Sequence, residues 1–236
     1  MATRREGDPR EDAPGTDRDP GTGRPGRSVP AATVGRLPGY LRALAVLTER
    51  GVVTTSSGAL AQVAGVSPAQ LRKDLSFLGT HGRRGVGYDV AHLSAELGAV
   101  LGLTRERRVV IVGVGNLGRA LAGYPGFSDR GFVVAGLVDA DPAVVGSRVA
   151  GLVVEPPDRL AAVVEEQAAT IAVIATPADA AQDVCDKLVA AGVSGVLSFA
   201  PRALRVPPEV DLRAVDLGSE LQILAFHDRR RAGEDG

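Results

Sequence analysis

The pattern of apolar positions changes once along the chain and divides it into two regions. Between residues 33 and 104, apolar side chains recur every three or four positions, which predicts helices. From Arg108 onward, short runs of valine and isoleucine alternate with helical segments, a pattern typical of an open parallel sheet. Two domains are therefore predicted, at 33–104 and 105–226. The charged ends, 1–32 and 227–236, are predicted to be a disordered and a flexible tail.

Three helices are predicted in the first region. The first lies at about 33–50 and has apolar residues along one face, namely Leu37, Tyr40, Leu41, Leu44 and Leu47. Thr54–Ser57 supplies N-cap candidates for a short second helix. Ser67 is expected to cap a third helix, which begins with Pro68 and ends before Gly79. A tight turn between the second and third helices predicts a helix-turn-helix.

The third helix is expected to read DNA. Leu71, Leu75 and Leu78 share one face and would pack inward, so the cations of this helix project outward. A basic hairpin with its return strand at Val86–Val90 completes a winged helix, followed by a connecting helix at Leu93–Leu103. The predicted DNA contacts are Ser67, Ala69, Gln70, Arg72, Lys73, Arg83 and Arg84. The alternative is a three-helix bundle whose cations only face solvent.

Charge is distributed in agreement with this division. Residues 33–104 hold seven basic and four acidic side chains, a net charge of +3. Residues 105–226 hold eleven basic and fifteen acidic side chains, a net charge of −4. A positive first domain followed by a negative second domain indicates that nucleic acid binds only to the first.

The second region is predicted to be Rossmann-like. Its expected strands are Val109–Val112, Phe132–Val138, Leu152–Val154, Ile171–Ala175, Gly195–Ser198 and Ala214–Val215. Its expected helices are Asn116–Ala122, Asp158–Ala168, Ala178–Ala191 and Ser219–Phe226. This alternation of strands and helices indicates a doubly wound α/β fold.

A glycine-rich loop directly follows the first strand of this region. The spacing Gly-x-Gly-x-x-Gly allows a tight turn, close approach of a pyrophosphate and packing of the next helix. Asp139, after the second strand, would bind the ribose hydroxyls and repel a 2′-phosphate, so NAD(H) is expected rather than NADP(H). The predicted nucleotide contacts are Gly113, Val114, Gly115, Asn116, Leu117, Gly118, Asp139 and Thr176. A flavin, S-adenosylmethionine or no ligand at all remain alternatives for this loop.

Catalysis is not expected. Hydride transfer normally needs a group that moves the substrate proton, yet residues 105–226 contain no histidine and one lysine, Lys187. The single cysteine, Cys185, excludes a disulfide within the chain or a zinc site of several cysteines, and is most simply a core residue. No apolar run of about 18 residues and no signal peptide is visible, so a cytoplasmic protein without a membrane partner is expected.

In this order, the motifs resemble the Rex family of redox-sensing transcriptional repressors. They are Arg72–Leu75, Arg84–Tyr88, Gly113–Gly118, Tyr124–Phe127, Phe199–Pro201 and Val215–Leu217. The resemblance extends from about Arg36 to Phe226. Arg83 stands where many members have lysine, and the amino-terminal tail has no counterpart in the pattern.

The resemblance implies a homodimer on palindromic operator DNA upstream of respiratory and fermentative genes, released by NADH and not by NAD⁺. It also implies that the C-terminal helix, here about Ser219–Phe226, is swapped onto the partner's nucleotide domain. Arg42, Tyr124 and Asp216 match the residues that exchange contacts as the nucleotide changes, and Tyr124 and Asp216 also belong to the nucleotide site. From the residues alone, Asp216 could instead cap a helix, Tyr124 could be a turn residue and Arg42 could face solvent.

The leading hypothesis is therefore a repressor that senses the NADH/NAD⁺ ratio and has no catalytic or metal-binding residue. One alternative is a small NAD-dependent oxidoreductase with a basic accessory domain, which the missing proton-transfer group disfavours. Another is a DNA-binding protein whose nucleotide fold serves only for dimerisation.

Overall fold

The computed structural model describes residues 29–80, 82–83 and 85–234. These described residues form two compact units, which divide between Ser94 and Ala95. Most of the predicted amino-terminal tail lies outside the described residues. The division falls within a helix rather than at the 104–105 boundary expected from sequence. The switch from helical spacing to runs of valine and isoleucine marks the start of the sheet. The connecting helix comes before that point, and the division between the units falls within this helix.

The first unit contains the three predicted helices in a helix-turn-helix arrangement. Its elements are α1 (Ala31–Glu49), β1 (Thr54–Thr55), α2 (Ser57–Ala64), α3 (Pro68–Phe77) and β2 (Tyr88–Asp89), and α4 (Val90–Val100) crosses into the second unit. The side chains of Leu37, Leu44, Leu60, Leu71 and Leu75 are fully buried. The predicted leucine faces therefore form the core.

Side-chain caps set where two of these helices begin. The Ser67 hydroxyl accepts a hydrogen bond from the Gln70 N–H at 3.1 Å, as predicted for the start of α3. Of the four cap candidates before α2, Ser56 takes the role and accepts from the Ala59 N–H at 3.1 Å. An extended serine followed by free helical N–H groups is the geometry that a hydroxyl cap requires.

The wing differs from the simple hairpin that the sequence predicts. The return strand is β2, and it pairs antiparallel with β1, with Thr54 opposite Asp89 and Thr55 opposite Tyr88. Nearer the hairpin tip, Arg83 and Gly87 form an isolated bridge. The β-branched threonines, expected to be capping residues, are instead extended and supply the backbone partners that the short tip lacks.

The second unit is built on a seven-stranded sheet. Its strands are β3 (Arg107–Val112), β4 (Phe132–Val138), β5 (Arg148–Val149), β6 (Leu152–Glu155), β7 (Ile171–Ile174), β8 (Gly195–Ser198) and β9 (Asp211–Ala214). Their order is β5-β6-β4-β3-β7-β8-β9, and all neighbours are parallel except β5 and β6. The predicted doubly wound fold is confirmed, with an added antiparallel edge strand.

Helices lie between the strands as expected, with differences at their ends. They are α5 (Asn116–Ala122), α6 (Pro125–Ser128), α7 (Leu160–Glu166), α8 (Ala181–Ala190) and α9 (Leu217–Glu234). A 3₁₀ turn at Pro157–Arg159 precedes α7. The sequence did not predict β5 or α6, since each is too short to show a period. Helix α9 extends well beyond the predicted end at Phe226, because no glycine or proline interrupts residues 227–232.

Two apolar layers enclose the sheet. One face packs on α7 and α8 and includes Cys185, which is buried in the core as expected. The other face packs on α5 through Leu121 and Ala122. Toward β8 and β9 this second face leaves an apolar groove of about 300 Å³, lined in part by Phe127, Ile171 and Leu197.

The apolar side chains of helix α9 are largely exposed in the described part of the chain. Among its residues, Leu217, Leu221, Ile223, Leu224 and Phe226 are each more than half exposed. Exposed apolar residues on one helix indicate a surface that another molecule covers. No helix in the described part of the chain is both long enough and apolar enough to cross a bilayer.

Candidate DNA-binding and nucleotide sites

The outer face of α3 carries two of the predicted DNA contacts as exposed cations. Leu71 and Leu75 are fully buried, whereas Arg72 and Lys73 are exposed. Ser67 and Ala69 are exposed at the amino-terminal end of the same helix. The structure thus confirms the predicted arrangement, with an apolar seam inward and cations and small residues outward, which is how a recognition helix enters a major groove.

The wing adds positive charge beside this helix. The Arg72 guanidinium donates to the Ser57 hydroxyl at 3.1 Å, which directs it toward the start of α2. Arg72 and Arg83 line the same open cavity of about 470 Å³, together with Ser56, Ser57 and Tyr88. Two cations and hydroxyl groups around one concave surface can contact phosphate oxygens. Arg84, the other predicted wing contact, lies outside the described residues.

Sequence reasoning missed a buried carboxylate on the recognition helix. Asp74 is fully buried and accepts five hydrogen bonds from four residues, which with it form the Asp74 cluster: Thr33, Arg36, Tyr40 and Gln70. Gln70, a predicted DNA contact, donates its amide to Asp74 at 3.0 Å, so its role on DNA stays a prediction. The spacing of Asp74 three residues after Leu71 places it on the apolar face and could have revealed it.

The Asp74 cluster holds its carboxylate in the charged form. Burial alone raises the pKa of Asp74, but hydrogen bonds from Arg36, Tyr40, Thr33 and Gln70 outweigh it and hold the pKa well below its usual range. Burial, followed by the hydrogen bond to Asp74, raises the pKa of Tyr40 to about 12. The phenol therefore stays protonated and keeps donating at neutral pH.

The glycine-rich loop lies where the strand order reverses. Gly113 directly follows β3, beside the end of β7, and has φ of +94°. A Cβ on Gly113 would lie 2.6 Å from the carbonyl carbon of Ala175 and 2.9 Å from the Thr176 nitrogen. A Cβ on Gly118 would overlap the carbonyl oxygen of Gly113, so α5 can approach β3 only with glycine there. The crevice at such a switch point is where doubly wound sheets bind nucleotides.

The Asp139 side chain is hydrogen-bonded to this loop. One oxygen of Asp139 accepts a short hydrogen bond from the Val114 N–H, and the other accepts from the Asp141 N–H at 2.8 Å. An ionised carboxylate has about four acceptor positions, so two remain for ribose hydroxyls. Gly115, Asn116 and the Leu117 side chain are exposed at the start of α5, where helix N–H groups attract phosphate.

The Thr176 hydroxyl provides an independent sign of a ligand. Its oxygen is buried and has no hydrogen-bond partner within the described residues. Buried hydroxyls normally have a partner, so the lack of one beside Gly113 suits a polar ligand atom. The loop, the free acceptor positions of Asp139 and this hydroxyl together fit a dinucleotide such as NAD(H).

The three predicted switch residues lie in different elements. Arg42 is exposed on α1, and Tyr124 is half-exposed before α6, with its ring edge-to-face with Phe127 at 5.3 Å. Asp216 is exposed and accepts from the N–H groups of Gly218 and Ser219 at 2.9 and 3.2 Å. The Ser219 hydroxyl bond, followed by the backbone bonds, lowers the pKa of Asp216. Asp216 thus caps α9, the alternative that the residues left open.

A winged-helix unit joined to a Rossmann-like unit defines a DNA-binding regulator with a nucleotide-binding domain. Comparison with protein families agrees with each half. Residues 28–76 match the family described as putative DNA-binding protein N-terminus, and residues 104–202 match the CoA binding domain family.

Sequence relatives specify the family. The chain is 58% identical over 209 residues to the redox-sensing transcriptional repressor Rex of Streptomyces coelicolor, covering 89% of this chain and 81% of that protein. It is 47% identical over 199 residues to the Rex of Desulfitobacterium hafniense, covering 84% and 95%. The chain belongs to the Rex family of redox-sensing transcriptional repressors. These relatives confirm the expectation of a regulator rather than an enzyme.

Solved structures agree on the fold. A crystal structure of RSP with β-NAD⁺ and operator DNA matches with a TM-score of 0.82 at 32% identity, covering 89% of this chain and 96% of that one. RSP is a Rex-family repressor. A structure of RSP with β-NADH matches with a TM-score of 0.79 at 31% identity, covering 89% and 98%.

Proposed function

We propose that this chain is a cytoplasmic repressor that binds operator DNA through its first unit and NAD(H) through its second, and that leaves the DNA when it binds NADH. The observation that carries this proposal is the presence on one chain of two features: an exposed cationic recognition helix, and the Gly113–Gly118 loop beside Thr176. Among the described residues, the buried hydroxyl of Thr176 has no hydrogen-bond partner. Its targets are proposed to be respiratory and fermentative genes, as in the family.

Helix α3 supplies sequence recognition in this proposal. Lys73 and Arg72 are long enough to reach guanine O6 and N7, and a good contact of this kind discriminates by about 1–3 kcal/mol. Arg83 and Arg84 of the wing bind phosphate or the minor groove. Because the affinity rests partly on phosphates, operator binding weakens as salt rises.

Asp139 and the loop hold the nucleotide, and Asp216 senses its redox state. The nicotinamide ring carries a positive charge when oxidised and none when reduced. A carboxylate that stays ionised, as Asp216 does, distinguishes these forms by charge. Asp139 accepts ribose hydroxyls and repels a 2′-phosphate, so NAD(H) is preferred to NADP(H).

The energy needed for the switch is modest for a dimer. Moving a two-state equilibrium from 1:99 to 99:1 requires about 10⁴-fold tighter binding to the favoured state. Two nucleotide sites per dimer share this, so each needs about 100-fold preference. Arg42, Tyr124 and Asp216 are proposed to exchange the contacts that provide it.

Helix α9 is proposed to dimerise the protein by packing on the partner. Leu217, Leu221 and Leu224 recur at i, i+4 and i+7 and leave one apolar face exposed. The groove beside Phe127, Ile171 and Leu197 is likewise apolar, and it is open among the described residues. In a two-fold dimer each α9 fills the other copy's groove, which buries both surfaces.

Replacing Leu221 and Leu224 together by glutamate is expected to dissociate this dimer. Burial of one leucine contributes about 1.5–3 kcal/mol, and each substitution occurs in both copies. Analytical ultracentrifugation measures the change, and operator affinity falls with it. Val153→Glu, which changes an exposed valine on β6, is the matched control. A double variant that stays dimeric at micromolar concentration contradicts this role of α9.

The switch is tested by comparing Asp216→Asn with Asp216→Ala. Asparagine is a good N-cap but carries no charge, whereas alanine loses the cap and about 1 kcal/mol of stability. Both variants are expected to lose the difference between NADH and NAD⁺ in releasing DNA, and only alanine is expected to lower the melting temperature.

Fluorescence anisotropy of labelled operator DNA reads out this comparison. If NADH but not NAD⁺ still releases Asp216→Asn from DNA, while Asp216→Ala has lost this difference, Asp216 acts only as a cap. That result would remove its charge from the switch without affecting the DNA-binding proposal.

A further inference from the structure

The Asp74 cluster joins the recognition helix to α1. Four of the five hydrogen bonds that Asp74 accepts come from α1: one from Thr33 at 2.9 Å, two from Arg36 at 2.6 and 2.7 Å, and one from Tyr40 at 2.6 Å. The fifth comes from Gln70 on α3 itself. The cluster is thus mainly a connection between two helices that are far apart in sequence.

The donors on α1 fix more than the distance between the helices. Thr33, Arg36 and Tyr40 stand at i, i+3 and i+7, so they form one stripe over two turns. The Arg36 guanidinium binds both carboxylate oxygens, a two-pronged geometry that restricts rotation as well as separation. Because donors from two turns of α1 bind the Asp74 carboxylate, α3 cannot rotate about its own axis without breaking several of these hydrogen bonds.

Asp74 directly follows the two cations proposed to read DNA. Successive helical residues are separated by about 100°, so fixing the direction of Asp74 also fixes those of Arg72 and Lys73. Stability alone does not call for a buried ion pair here, since apolar residues of similar volume are often equally stabilising. The hydrogen bonds of the cluster restrain the rotation of α3, because they are directional. The apolar packing of Leu71 and Leu75 restrains this rotation less well, because apolar contacts are not directional.

Building on the proposed function, we propose that Asp74 is a positioning residue for operator recognition, locking α3 to α1 so that both helices move as one body. Arg42 lies on α1 two residues beyond Tyr40. Any displacement of α1 at Arg42 then also displaces the cations on α3, because the Asp74 cluster joins the two helices. Asp74 itself does not touch DNA.

The test compares specific with non-specific DNA binding in the full-length chain. The specific probe is a duplex selected by wild-type protein from a random-sequence pool, and the reference is the same duplex scrambled, at the same ionic strength. Asp74→Asn is nearly isosteric and removes one negative charge. It is expected to weaken binding to the selected duplex about 10-fold or more and to change binding to the scrambled duplex little.

The direction of the change in affinity for the selected duplex distinguishes a positioning role of Asp74 from an effect of its charge. Removing an acid from a DNA-binding unit favours phosphate binding by electrostatics alone. Glu49→Gln, an exposed charge-matched control on α1, is therefore expected to leave specific binding unchanged or slightly tighter. NADH affinity, measured by nucleotide fluorescence, should stay at the wild-type value in both variants.

A second pair keeps the test decisive if Asp74→Asn folds poorly. Thr33→Val removes one hydrogen bond of the cluster, whereas Thr48→Val removes a hydroxyl that donates to the Leu44 carbonyl of its own helix. Thr33→Val is expected to reduce the preference for the selected duplex about 3- to 10-fold, and Thr48→Val is not.

The outcomes are distinguishable. If Asp74→Asn and Thr33→Val are folded and keep the full wild-type preference, or lose specific and non-specific binding equally, the positioning role is overturned. If wild-type protein has no preference for any selected duplex, the proposed function fails, and this inference fails with it. A reduced preference in both cluster variants, with both controls unchanged, supports the role of Asp74.

Discussion

Lys73→Ala is expected to abolish specific operator binding while leaving NADH affinity unchanged. Lys73 is exposed on the outer face of α3, whose inner face is fixed by the buried Leu71 and Leu75. Loss of one base-reading cation costs about 1–3 kcal/mol, and a two-fold dimer loses it at both half-sites. The expected loss is therefore about 30-fold to 10⁴-fold in operator affinity.

Lys187→Ala is the matched control for Lys73, because Lys187 is the other lysine in the chain and is exposed on α8 of the second unit. It is expected to change neither DNA nor nucleotide binding. Both affinities are measured on the same preparation, by anisotropy and by NADH fluorescence. Loss of both affinities in folded Lys73→Ala protein contradicts the assignment of the two ligands to separate units.

Gly113→Ala is expected to have the second-largest effect: the variant binds NADH weakly and therefore stays on DNA when NADH is added. Alanine at φ of +94° is strained, and its Cβ would lie 2.6 Å from the Ala175 carbonyl carbon. The loop must shift from its present position beside the Ala175 carbonyl to relieve this contact. Strain of about 1–3 kcal/mol lowers NADH affinity by about 5- to 150-fold.

Gly146→Ala is the control that distinguishes general backbone strain from damage to the nucleotide site. Gly146 also has a positive φ, +81°, but a Cβ there has no neighbour within 4 Å. This control is expected to bind NADH normally, apart from a small loss of stability. Release of Gly113→Ala from operator DNA at wild-type NADH concentrations would show that the nucleotide binds elsewhere.

The sequence predicted the features that rest on local signals. The start of α3 was predictable because Ser67 and Pro68 are a cap and a first-turn residue, and the leucine spacing reports its buried face. The loop after β3 was predictable because its glycines follow a run of valine and isoleucine. These signals lie within a few residues of the structure that they specify.

Other features depend on residues distant in the chain. Asp74 meets Thr33 and Tyr40 across 41 and 34 positions, and the pairing of β1 with β2 joins residues on either side of the helix-turn-helix. A solitary acid on a basic helix looks like a solvated charge until its partners are known. The full length of α9 was missed because its polar end carries no apolar period.

In the proposed switch, one chain converts the redox state of a dinucleotide into release of DNA. The most direct measurement is binding to a selected operator duplex at fixed ionic strength, titrated separately with NADH and with NAD⁺. We expect NADH to release the DNA at concentrations at which NAD⁺ leaves the complex intact. Binding that ignores both nucleotides, or steady oxidation of NADH during the titration, would contradict it.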